Sequence, residues 1–60
     1  MNALELAIKE FEDMIETRKN ALAKGHAKDY AEYQHIAGVI TGLATANERL
    51  KDLLRYEEEL

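Results

Sequence analysis

The residues with the clearest capacity for chemistry are Glu32 and His35, three apart in Glu32-Tyr33-Gln34-His35. On a helix that spacing puts a carboxylate and an imidazole on one face, as in the Glu-x-x-His half of a ferritin-like di-metal centre. Such a site would need a second copy to complete it. An antiparallel partner segment sets Asn20 opposite His35, with Glu16 about a turn away, and Glu32 has a sufficient role in capping a helix. The preferred reading assigns no metal and no cofactor. His26 has no ligand-spaced companion, and Thr17, Thr41 and Thr45 have no neighbouring histidine base. The chain has no serine or cysteine, and no glycine-rich phosphate loop follows a strand. Catalysis is not expected, and no catalytic residue is assigned.

Composition points the same way. Sixty residues make one domain at most, and a chain this small buries only ~60% of its unfolded surface. Disulfides are excluded, so a partner chain is the expected support. Eight Lys and Arg against 12 Asp and Glu give a net charge of −4, and the two signs are interleaved. Nucleic-acid binding is therefore not expected, because it draws on a basic face. No basic n-region with an apolar stretch marks a secretory signal, and no run reaches the ~18 apolar residues of a membrane span. A soluble protein is expected, intracellular or assembled from the cytosol.

Two long runs of helix-forming residues flank Lys24-Gly25-His26-Ala27-Lys28-Asp29. Gly25 suits the left-handed position after a helix. Asp29 with Glu32 forms a capping pattern, and Asn2 with Glu5 a weaker one. The expected elements are helix 1 at about 3–24, a turn at 25–29 and helix 2 at about 30–58. The fold class is all-α, an antiparallel two-helix hairpin resembling a coiled coil, completed by oligomerisation or docking.

Apolar residues step by three and four along both helices: Leu4, Ile8, Phe11, Ile15 and Leu22, then Tyr33, Ile36, Ile40, Leu43 and Leu50. A short turn sets Leu22 against Tyr33, Ile15 against Ile40, Phe11 against Leu43 or Ala44, and Ile8 near Asn47. Arg18 and Asn47 are polar seam positions. Such residues specify register or oligomer state, although Arg18 is expected to snorkel, its head near Glu32.

Helix 2 is the longer, ~44 Å against ~33 Å, which leaves Leu53, Leu54, Tyr56 and Leu60 without cover from helix 1. Val39, Ala46, Leu53 and Leu60 form a second apolar line at seven-residue spacing. Gly38 and Gly42, four apart with Ala46 beyond them, form a smooth strip. Each costs a helix ~1 kcal/mol against alanine, which the close approach of another backbone would justify. The expected interface is thus Gly38, Gly42, Val39, Ala46, Leu53, Leu54 and Leu60.

The stretch from Asp29 to Leu43, with its D-Y-x-x-Y-x-x-x-x-G-x-I-x-G-L pattern, resembles the core of short helical-hairpin proteins of tailed bacteriophages. The R-K-N-x-L-x-x-G end of helix 1, Arg18 to Gly25, extends the likeness over most of the chain. The resemblance implies a structural or assembly role in or on the virion, at the capsid, portal or connector. The partner would be another copy or a larger phage structural protein, and the location the virion or the host cytoplasm. A different class of function, a small phage effector that blocks a host protein, would use the acidic faces as a mimic of nucleic-acid charge.

Overall fold

Both helix starts are written into local side chains. The computed structural model describes residues 1–60. Asn2 is extended (φ −88°, ψ 175°), and its Oδ1 accepts from the Glu5 N–H at 2.8 Å while Glu5 Oε1 accepts from the Asn2 N–H at 3.3 Å. This complete capping box opens helix α1, Ala3–Ala23. Asp29, also extended, accepts from the Glu32 N–H at 2.8 Å and opens α2, Tyr30–Glu59. Glu32 does not reciprocate to Asp29. Its carboxylate accepts from the Lys28 N–H instead, at 3.2 Å. The start read as the weaker of the two is thus the one with both halves of the box.

At the end of α1 the His26 N–H donates to the Ala21 carbonyl and the Gly25 N–H to the Leu22 carbonyl, both at 3.0 Å. With Gly25 at φ 74°, these bonds form a Schellman motif, which needs a residue without a β-carbon at that turn. Non-helical backbone then carries the chain through Ala27 and Lys28 to Asp29. The molecule is all-helical, two antiparallel helices packed along one seam, with no strand.

The seam runs through the expected apolar residues, but its register differs from the expected one. Tyr33, expected opposite Leu22, is about half exposed (48%) and stacks on Tyr30, ring centroids 6.3 Å apart. Leu54, expected to lack cover, is half-buried. Lys51 reaches across to Glu12 at 3.7 Å. A shift of roughly three residues, just under one turn, accounts for all three. With a positions facing d positions, helix geometry at that shift brings Leu4 level with Leu54, Ile8 with Leu50, Phe11 with Asn47, Ile15 with Leu43, Arg18 with Ile40 and Leu22 with Ile36. The expected pairing matched like heptad positions, which suits parallel helices; antiparallel helices pair a positions with d positions. Residues 30–35 therefore overhang α1, and Tyr33 has no helix opposite.

Two residues fall below a tenth exposure, Ile8 at 9% and Asn47 at 3%. Arg18 is exposed and lies beside Met14, Thr17 and Ala21. The expected approach of its head to Glu32 is not made, because Glu32 is held at the helix start. A single seam gives the molecule an elongated form, 47 × 17 × 12 Å.

Candidate functional site

The reactive side chains do not converge. His35 and His26 are exposed, and Glu32 is engaged by the Lys28 amide. No group of three or more His, Asp or Glu side chains comes together. The threonine hydroxyls donate to carbonyls one turn back: Thr17 to Asp13 at 3.0 Å, Thr41 to Ala37 at 3.1 Å and Thr45 to Thr41 at 2.9 Å. A hydroxyl so committed is satisfied locally. No helix is long and apolar enough to cross a membrane.

What the hairpin does build is two unlike edges. Residues that follow a seam position rotate about 100° to one side, and residues that precede one rotate to the other. Because the helices are antiparallel, the following residues of both helices share one edge and the preceding residues share the opposite edge. On the first edge lie Glu12, Lys19 and Lys51. There Lys51 contacts Glu12 and Glu48, each at 3.7 Å, beside a shallow groove that Ile15, Ala44 and Asn47 help to line. The exposed carboxylates and ammonium groups make this the solvated edge, and pairs of this kind add little stability.

The second edge carries apolar residues at seven-residue spacing, bordered on its outer side by Glu10, Thr17 and Arg49. Ala7, Met14 and Ala21 precede the seam residues Ile8, Ile15 and Leu22. Val39, Ala46 and Leu53 precede Ile40, Asn47 and Leu54. Met14 is 45% exposed and Leu53 53% exposed, whereas Ala7, Ala21 and Val39 are half-buried. Both helices thus contribute three apolar residues, spaced by seven, to a single strip. Leu6, 49% exposed, lies further round α1 toward solvent, the position that Gly38 holds on α2.

The residues expected at an interface divide between several places. Val39, Ala46 and Leu53 lie on the strip, and Gly42 borders it. Gly38 is further round the helix toward solvent, Leu54 is part of the seam, and Leu60 is 88% exposed beyond the end of α2. A β-carbon built on either Gly38 or Gly42 would meet nothing within 4 Å. No contact within the chain, therefore, calls for a glycine at either position. The α1 half of the strip, Ala7, Met14 and Ala21, was missed in the sequence. Its signal is the same seven-residue spacing, obscured because two of the three are alanines.

Comparison with protein-family models, with curated proteins and with solved structures finds no match.

Proposed function

We propose that this chain is a non-enzymatic structural or assembly protein, acting by packing its apolar edge against a partner, in or on a tailed-bacteriophage virion. The observation that carries the mode of action is the set of partly exposed apolar residues, spaced by seven on both α1 and α2, on the edge opposite the Lys51–Glu12 pair. Exposed strips of this kind characterise helical elements that finish their core through another chain. The bacteriophage setting rests on the resemblance of residues 29–43 and 18–25 alone.

The test is quantitative detection of the chain in gradient-purified particles of the phage that encodes it. A fixed copy number per particle is the expected result. Absence from particles, together with capture of one host protein by the chain, would replace this reading with that of a host-directed blocker.

A further inference from the structure

Size and shape give the first argument for what covers the strip. A compact 6.8 kDa chain has an accessible surface of about 4,000 Å², whereas this hairpin exposes 4669 Å². The hairpin therefore exposes roughly 700 Å² more surface than a compact body of its mass. The radius of gyration is 14.1 Å, whereas compact bodies of this length have about 10 Å. The hairpin is 12 Å thick in its thinnest direction, one helix layer, and lacks the second layer that domains normally have.

We propose that the second layer is another copy of this chain, related by a two-fold axis parallel to the helices, so that α1 of each copy lies on α2 of the other. The inference rests on the reading that the apolar edge is a packing surface, and it names what packs there. A two-fold axis in this direction preserves height along the bundle, so the register within one hairpin fixes which residues meet between copies.

The facing residues then complement one another in size. Met14, the largest exposed group at mid-strip, comes level with the notch at Gly42 and Ala46 of the second copy, where an added β-carbon would meet open space. Ala21 comes level with Val39. Gly42 thereby acquires the close neighbour that the single hairpin does not supply.

Charge agrees with the same arrangement. Glu10 and Arg49 border the strip on α1 and α2 respectively, both are exposed, and neither forms an ion pair within the chain. The axis sets Glu10 of each copy level with Arg49 of the other, giving two opposite-charge pairs at the rim. Laying α1 on α1 instead would bring Glu10 to another α1 and leave Arg49 without it.

Sedimentation equilibrium across a concentration series, with circular dichroism on the same samples, tests the proposal. A helical species of twice the 6.8 kDa chain mass is expected. Glu10→Arg and Arg49→Glu should each weaken association by about tenfold through like-charge contacts. The double variant should recover it, because exchange restores both pairs. All these side chains suit helices, so the hairpin tolerates the changes. A chain that gains helix only as it dimerises supports the proposal equally. A helical monomer at every concentration, a different stoichiometry, or a double variant no tighter than the single ones would overturn it. A monomer would leave the particle test untouched, since a larger partner would then cover the same edge.

Discussion

At position 47 a carbonyl oxygen is buried without a hydrogen-bond partner, in the residue least exposed to solvent. An unmet acceptor of this kind costs about 1–3 kcal/mol. Asn47→Leu should therefore raise the stability of the hairpin by a similar amount, read as a higher melting temperature at fixed chain concentration. Phe11 lies opposite, and a polar group at that level disfavours sliding one helix along the other. The leucine variant should accordingly spread over more than one oligomeric mass. Gly25 is the second residue with a defined task. Its left-handed backbone penalises any β-carbon by roughly 1–2 kcal/mol, so Gly25→Ala should lower stability by that amount although nothing lies within 4 Å of the added atom.

For the helices as elements, the two caps have different consequences. Asp29→Ala removes the acceptor for the Glu32 N–H and should cost about 1 kcal/mol, measured by loss of helical signal on heating. The glycines of α2 separate intrinsic propensity from packing. Gly38 faces solvent, so Gly38→Ala should add about 1 kcal/mol of helix stability and leave the mass of the assembly unchanged. Gly42→Leu should keep the hairpin helical but weaken association, because it fills the notch level with Met14 of the second copy; equal association by the two proteins in sedimentation would argue against that contact. These effects differ because the two residues, four apart, are rotated by about 40° from one another around α2.

Taken whole, the molecule is a thin rod with one charged edge and one apolar edge, and that asymmetry governs how it should respond to salt. Rim pairs such as Glu10 with Arg49 weaken as ions screen them. Repulsion between copies of net charge −4 weakens too. With burial of apolar surface as the main driving term, the dimer dissociation constant should change by less than about threefold between 0.05 and 0.5 M sodium chloride. A steep loss of association with salt would point instead to a partner held by charge. That measurement also bears on the host-directed alternative, in which acidic faces meet a basic surface.

The helices and their ends were legible in the sequence because their causes are local. Asn2, Gly25 and Asp29 act on backbone groups within a few residues, and the three- and four-residue stepping of Leu4, Ile8, Phe11 and Ile15 defines a face without reference to any other element. The register was not legible. It depends on the path of Ala27 to Asp29, which lets α2 start beyond the end of α1, and on the pairing rule for antiparallel seams. That shift moved Tyr33 out of the seam and Leu54 into it. The apolar edge was half legible, through Val39, Ala46 and Leu53. Its other half, Ala7, Met14 and Ala21, acquired meaning only when the tertiary structure placed both helices side by side, because a strip made of two helices exists only where they pack.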